Sequence, residues 1–128
     1  MLSMHWHVWL GVALGGAFGA CARYGLSVLL AAQAGRWPLA TLLANLLGCF
    51  LAGYLSTLLA RQGSAPGVLA IMTTVGFLGA FTTFSAFSVE VLRLYESAAV
   101  SAALAHVLAN VVGALLMVTA GAFLARLH

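Results

Sequence analysis

Long apolar stretches separated by short polar turns make up almost the whole chain. They run from about Val8 to Ala32, Leu39 to Ala60, Val68 to Tyr95 and Ala98 to Leu124. Each is long enough to cross the hydrocarbon core of a bilayer, which takes about 20 helical residues. The turns between them hold turn formers and a charge, namely Gln33, Gly35, Arg36, Trp37 and Pro38 in the first and Arg61 to Gly67 in the second. The pattern predicts an all-α integral membrane protein with one four-helix domain, residues 1–128.

The third stretch departs from the others because it is long and interrupted by polar residues. As a straight helix it would span roughly 42 Å, against about 30 Å of hydrocarbon. Glycines and hydroxyls lie where the bilayer midplane should fall: Gly76, Gly79, Thr82, Thr83, Ser85 and Ser88. We expect this helix to break between Gly79 and Thr83. Backbone carbonyls freed at membrane depth must be buried in protein or line a cavity, where they could also hold a small cation.

Composition agrees with lipid as the solvent and excludes several functions. Hydrophobic residues make up 64% of the chain and charged residues 5%, whereas soluble domains carry about 25% charged residues. The net charge of +3 comes from scattered arginines without a lysine, which gives no basic surface for nucleic acid. No catalytic grouping, phosphate-binding loop or cluster of metal-binding side chains appears, so we expect no enzyme.

The arginines outside the apolar stretches divide evenly between the two sides. An even number of spans places both termini on one side, together with Arg61 and Arg126, and leaves Arg36 and Arg93 on the other. An excess of Lys and Arg on the cytoplasmic side normally sets orientation. Without an excess, we predict that the chain inserts both ways and pairs with its inverted copy, since symmetric dimers are the commonest assembly. The alternative is a single orientation set by other features.

The first helix carries a small-residue stripe that ends in an arginine. Gly11, Gly15 and Gly19 recur at a spacing of four, which lets another helix approach closely. Arg23 follows at the next position of the stripe, where a charge within the membrane is expensive. Two interpretations stay open: the side chain reaches the water boundary, or it serves as a structural clamp or anion-attracting vestibule.

Similar hexapeptides, Leu43–Gly48 and Leu108–Gly113, place asparagines within the second and fourth helices. Asn45 shares a helix face with Thr41, and Asn110 follows His106 by one turn. A buried asparagine must be hydrogen-bonded. Each therefore either joins helices or donates its NH₂ group to a permeant anion, and His106 is either part of this path or a polar interface residue.

Phenylalanines recur at a spacing of three at the end of the polar stretch: Phe81, Phe84 and Phe87. They form either a packing stripe or a set of positive ring edges. Beside hydroxyl donors, ring edges could replace part of an anion's water shell without a fixed charge, and conduction requires such weak binding at several sites. Glu90 and Arg93 follow, spaced for an interfacial ion pair.

The segments Gly15–Tyr24, Asn45–Gly48 and Gly76–Phe87 resemble the Fluc (CrcB) family of bacterial fluoride channels. The resemblance covers essentially the whole chain, including its length and helix count. It implies a dual-topology antiparallel homodimer with two pores in the bacterial inner membrane. Such a channel exports toxic fluoride down its electrochemical gradient.

The resemblance also implies roles for individual residues. Fluoride would pass the ring edges of Phe84 and Phe87, with Asn45 as an amide donor nearby. Carbonyls of Gly79 and Thr82 from both subunits would hold a central structural sodium ion. The remaining pore positions are Thr83 and Ser85 in the same polar stretch, Thr41, Glu90 and His106 near the pore ends, Asn110 on the fourth helix, and Arg23 as a structural or vestibule residue. The chain departs from the family's pattern at Ala86 and Ala114, where hydroxyls are more usual.

Two other functions compete with the channel. A small multidrug-resistance exporter also has four helices, but it needs a membrane-embedded carboxylate to exchange protons for drug. The first helix here carries no acid, and its one charge is Arg23. A non-transporting membrane subunit would use polar groups only to join helices, and the hydroxyls between Phe81 and Ser88 exceed that need.

Overall fold

The structure, a computed structural model, describes residues 5–32 and 37–128. In this part of the chain, four helical segments are long and apolar enough to cross a membrane: Trp6–Leu30, Leu39–Gln62, Val68–Glu96 and Val100–Arg126. The predicted four-span membrane protein is confirmed, with each boundary within two residues of its expected place. Of the predicted first turn, Gln33, Gly35 and Arg36 lie outside the described residues.

Helix α1 is Trp6–Leu30, and α2 is Leu39–Gln62. The third segment is composite: α3 (Val68–Ile71), a π-helix (Met72–Leu78), α4 (Gly79–Phe81) and α5 (Phe84–Glu96). Helix α6 is Val100–Arg126. Gly63 ends α2 in the left-handed region at φ 64°, the conformation that glycine adopts without a steric penalty.

Between α4 and α5 the third segment contains two residues with extended backbone. Thr82 has φ −83° and ψ 155°, and Thr83 has φ −153° and ψ 124°. Helix α5 then starts anew, with the hydroxyl of Thr83 accepting a hydrogen bond from the amide of Ala86, which is a standard helix N-cap. We call this feature the Thr82–Thr83 interruption.

The helices pack in two pairs whose backbones touch. Helix α1 packs on the π-helix and α4, and α2 packs along α6. A Cβ added at Gly15 would collide with the carbonyl of Met72, and one at Gly19 with the carbonyl of Phe77. Gly53 and Gly121 make the same close approach between α2 and α6. Such seams of small residues hold membrane helices together by van der Waals contact, since lipid supplies no hydrophobic force between them.

The π-helix was not expected from the sequence, because a π-helix has no distinctive residue pattern. Its wide turns lie on the glycine surface of α1, where Gly76 faces the carbonyl of Val12. Short π-segments often mark functional sites. Here the segment leads directly into α4 and the Thr82–Thr83 interruption.

We predict that Gly15→Ala destabilises the fold by more than about 2 kcal/mol, because overpacking against backbone forces the helices apart. The control is Gly16→Ala, whose Cβ would meet the carbonyl of Gly76 at an ordinary 3.9 Å. Both variants gain the same helix propensity, about 1 kcal/mol, so their difference isolates the contact. The free energy of unfolding, measured by denaturant titration in detergent micelles, should separate them. Equal stabilities would contradict the close packing of α1 on the π-helix.

Candidate functional site

Asn45 on α2 binds both polar groups of the Thr83 residue in the interruption. Its Nδ2 donates to the Thr83 carbonyl over 3.1 Å, and the Thr83 N–H donates to its Oδ1 over 2.8 Å. In an uninterrupted helix that N–H would instead reach the carbonyl of Gly79. One side-chain amide thus replaces main-chain partners where no water is available.

The second hydrogen of the Asn45 amide extends this contact to α6. Nδ2 also donates to Oδ1 of Asn110 over 2.8 Å, and Nδ2 of Asn110 donates to the His106 carbonyl over 3.1 Å. The asparagines of the two similar hexapeptides therefore bind each other. Both hydrogens of the Asn45 NH₂ group are used inside the protomer, which favours the helix-joining interpretation of this residue.

The network continues from Asn110 to the carboxylate of Glu90. The His106 ring, fully buried, places Nε2 3.1 Å from Oε2 of Glu90. The other carboxylate oxygen accepts from the Thr41 hydroxyl over 2.6 Å. These contacts form a continuous series of polar side chains, which we call the polar chain. Its members, in order, are Thr41, Glu90, His106, Asn110, Asn45 and Thr83.

The expected ion pair of Glu90 with Arg93 is wrong. Among the described residues, Glu90 forms its salt bridge with His106 and not with Arg93. The spacing of three along α5 allowed the local pair. Thr41 and His106 bind the carboxylate instead, from helices distant in sequence, and these hydrogen bonds offset part of the cost of taking its charge out of water.

Phe84 and Phe87 lie beside the polar chain. Their ring centroids are 5.3 Å apart, and Phe87 lies 5.5 Å from the His106 ring. Phe87 is buried, whereas Phe84 is 76% exposed in the protomer. Phe81, on the other side of the interruption, stacks on Phe77 instead.

A groove of about 430 Å³ runs along this site. Its lining residues come from α2, the interruption, α5 and α6: Asn45, Cys49, Thr82, Thr83, Phe84, Phe87, Asn110, Val111, Ala114, Leu115 and Val118. The lining contains no charged side chain. The Thr83 hydroxyl lies 3.2 Å from that of Ser85, which lines the neighbouring groove with Glu90 and Arg93. Ala114 lines the first groove at a position where a further hydroxyl is missing.

Arg23 contacts the segment just before the interruption. Its Nε donates to the carbonyl of Ala80 over 3.1 Å, so the arginine joins α1 to α4. This contact favours the structural clamp over a side chain that simply reaches for water.

Backbone carbonyls, not side chains, are the groups here that could bind a cation. The described residues contain no cluster of His, Cys, Asp or Glu suited to a metal. The Gly79 carbonyl has lost its helical partner, because the Thr83 N–H binds Asn45. The Thr82 carbonyl precedes the cap of α5 and lies outside its helical ladder. Hard cations are bound by such oxygens.

Known proteins resemble this chain over nearly its full length. The family model described as CrcB-like protein, Camphor Resistance (CrcB), matches residues 10–122. A protein of Stutzerimonas stutzeri named fluoride-specific ion channel FluC is 47% identical over 121 residues, covering 91% of this chain and 94% of the relative. One of the same name from Paracoccus denitrificans is 43% identical over 120 residues, covering 94% of this chain and 95% of the relative.

We predict that Asn45→Leu destabilises the protein by about 3 kcal/mol, because it leaves the Thr83 N–H, the Thr83 carbonyl and the side-chain Oδ1 of Asn110 without the partners that Asn45 provides. Hydrogen exchange should also become faster at the Thr83 amide. Ser56→Ala is the control on the same helix, since that hydroxyl binds only the Gly53 carbonyl within α2; it should change stability by less than about 0.5 kcal/mol. An unchanged exchange rate of the Thr83 amide in Asn45→Leu would show that Asn45 is not needed to hold Thr83.

Proposed function

The chain belongs to the CrcB family of fluoride ion channels, and we propose that it conducts fluoride across the membrane along the groove beside Thr83. The observation that carries this proposal is a groove between the membrane-spanning helices that has no charged lining residue and is lined by the threonines of the interruption together with Phe84 and Phe87. The protein is a multi-pass membrane channel, not an enzyme. Export of toxic fluoride through the bacterial inner membrane is the role we assign to it.

The donors of the groove suit an anion that must be held weakly. Ring edges of Phe84 and Phe87 carry partial positive charge. The Thr83 and Ser85 hydroxyls bind each other, which leaves one hydroxyl hydrogen of the pair to donate to an anion. A fixed cation would hold fluoride too tightly to release it. Because both Asn45 hydrogens are engaged, its role here is to hold Thr83 in place and not to bind the anion directly.

We further propose that a second, inverted copy closes the groove. Phe84 is largely exposed in one protomer, and the hydroxyl pair of Thr83 and Ser85 is also exposed. Polar groups facing lipid are unfavourable, and the even distribution of arginines favours both orientations. An antiparallel homodimer would contain two such grooves, each completed by both subunits. Thr41, Glu90 and His106 would lie toward the pore ends.

A sodium ion fits the carbonyls at the interruption. Gly79 and Thr82 each offer an oxygen outside the helical ladder, and a Cβ built at Gly79 meets no atom within 4 Å. Two copies related by symmetry would supply four oxygens. Bound there, sodium would offset the partial negative charges of the Gly79 and Thr82 carbonyl oxygens and join the two subunits.

We predict fast fluoride efflux from liposomes that contain the protein, with no chloride efflux in matched vesicles. Phe84→Leu should slow fluoride efflux at least about tenfold, equivalent to about 1.4 kcal/mol of barrier, because a leucine has no polarised ring edge. Phe123→Leu replaces a similarly exposed ring on α6 outside the groove and should leave efflux unchanged. A fluoride electrode measures the rates. Equal loss in both variants, or efflux of both anions, would contradict the proposed pore.

We also predict that removing sodium weakens the dimer. Purified protein exchanged into N-methylglucamine salts should unfold at a lower temperature and dissociate more readily on size-exclusion chromatography, since the Gly79 and Thr82 carbonyls of two copies then repel each other. Returning sodium should restore both properties, whereas the larger potassium ion should do so less well. Identical behaviour in all three salts would argue against a sodium site.

A further inference from the structure

Helix α2 contacts both residues of the Thr82–Thr83 interruption, and Asn45 makes one of these contacts. Gly48 follows Asn45 by three residues and lies on the same face of the helix. Gly48 is buried, and a Cβ added there would collide with the Cγ2 methyl group of Thr82. Asn45 thus binds Thr83, while Gly48 leaves the space that the Thr82 side chain occupies.

The Thr82 side chain cannot turn away from Gly48 without losing a hydrogen bond. Its hydroxyl donates to the carbonyl of Leu78 over 2.9 Å, and its own N–H donates to the same oxygen over 3.0 Å. Because Cγ2 and Oγ1 are attached to the same carbon, the rotamer that satisfies the hydroxyl also fixes the direction of the methyl group. That direction is toward Gly48.

The backbone of Thr82 is restricted as well, because Asn45 holds the next residue at both its N–H and its carbonyl. A methyl group added at Gly48 would push Thr82 away from α2 while Asn45 retains Thr83 on it. These opposing forces would meet at the peptide group that joins the two threonines. In a planar trans peptide the C=O points opposite to the N–H. Since the Thr83 N–H points to Asn45, the Thr82 carbonyl points away from α2.

From these contacts we infer that Gly48 is a positioning residue, which together with Asn45 fixes the direction of the Thr82 carbonyl. Asn45 holds the N–H of the shared peptide, and Gly48 seats the side chain of the residue that carries the carbonyl. Binding of sodium by this carbonyl rests on the proposed function. The seating of Thr82 on Gly48 does not.

The inference also gives a role to the similar hexapeptide on α6. Asn110 binds a neighbouring helix through Asn45, and Gly113, three residues later, lies against the side chain of Leu46. A Cβ added at Gly113 would lie 2.8 Å from Cδ2 of Leu46, which is the far end of a flexible side chain and can move aside. Gly113 is therefore a matched control for Gly48.

The test removes the colliding methyl group from Thr82 itself. Thr82→Ser keeps the hydroxyl that binds the Leu78 carbonyl but lacks Cγ2. The Cβ added by Gly48→Ala would then have Cδ1 of Phe81 at 3.5 Å and the Cβ of residue 82 at 3.6 Å as its neighbours, which are ordinary van der Waals distances. Gly48→Ala should therefore be harmful in wild type and nearly harmless in the Thr82→Ser background.

Hydrogen exchange measures this effect without reference to sodium or fluoride. In the purified protein in detergent micelles, Gly48→Ala should accelerate exchange at the Thr82 and Thr83 amides at least about tenfold, the size of an overpacking effect. In the Thr82→Ser background the same change should alter both rates by less than about twofold. Equal acceleration in the two backgrounds, or none in wild type, overturns the inference.

Two further glycines control for general packing effects. Gly113→Ala should leave the exchange rates of the interruption as they are in wild type. Gly53→Ala, on the same helix as Gly48, would collide with the carbonyl of Val118, so Thr82→Ser should not relieve its effect. If Gly48→Ala alone does not fold, Thr82→Ser should restore a folded protein, and a double variant that also fails to fold overturns the inference.

Sodium dependence then tests the direction of the Thr82 carbonyl. The melting temperature is measured against sodium concentration at constant ionic strength, because a ligand stabilises the state that binds it once its concentration exceeds the dissociation constant. Gly48→Ala should raise the sodium concentration at which the melting temperature begins to increase by about tenfold or more. The same change in the Thr82→Ser background should shift it less than about twofold.

An unaltered sodium response in Gly48→Ala overturns its role in positioning the carbonyl. A melting temperature that ignores sodium in every variant, wild type included, instead rejects the proposed sodium site. In that case hydrogen exchange at the Thr82 and Thr83 amides still decides whether Gly48 seats Thr82.

Discussion

The structure depends on the two-way hydrogen bond between the Asn45 amide and the Thr83 residue. Hydrocarbon offers no partner to a free backbone group, so an interruption in a spanning helix survives only if protein satisfies it. Asn45 provides a donor and an acceptor at the correct separation. This contact removes the helical partner of the Gly79 carbonyl, and α5 begins directly after it, with Phe84 and Phe87 along the groove.

The glycine seams make that contact possible by fixing the helices around it. Gly53 and Gly121 bring the backbones of α2 and α6 together, which places Asn45 within 2.8 Å of Asn110. Gly15 and Gly19 hold α1 on the π-helix, and Arg23 secures the Ala80 carbonyl. Close packing and polar satisfaction are thus coupled, because a helix displaced by one methyl group would break hydrogen bonds across the site.

Hydropathy was sufficient to predict the four spans, since a bilayer demands about 20 apolar residues from each. Local spacing also identified Thr41, Asn45, His106 and Asn110 as polar positions needing partners, but it could not pair them. Spacing assigned Glu90 to Arg93, whereas the carboxylate binds residues from α2 and α6. Pairings of this kind depend on the rotation of each helix about its axis, and a periodic apolar pattern does not specify that rotation. The same pattern does not specify the π-helix.

The same hydrogen bonds explain how the Glu90 carboxylate can lie near the proposed path of an anion. A carboxylate without hydrogen-bond donors around it would repel fluoride. The Thr41 hydroxyl donates a hydrogen bond to one oxygen of Glu90, and Nε2 of His106 lies 3.1 Å from the other oxygen, which disperses the charge of the carboxylate. The lining of the groove beyond contains no charged side chain, so an anion on the proposed path would be bound weakly at each step, as conduction requires.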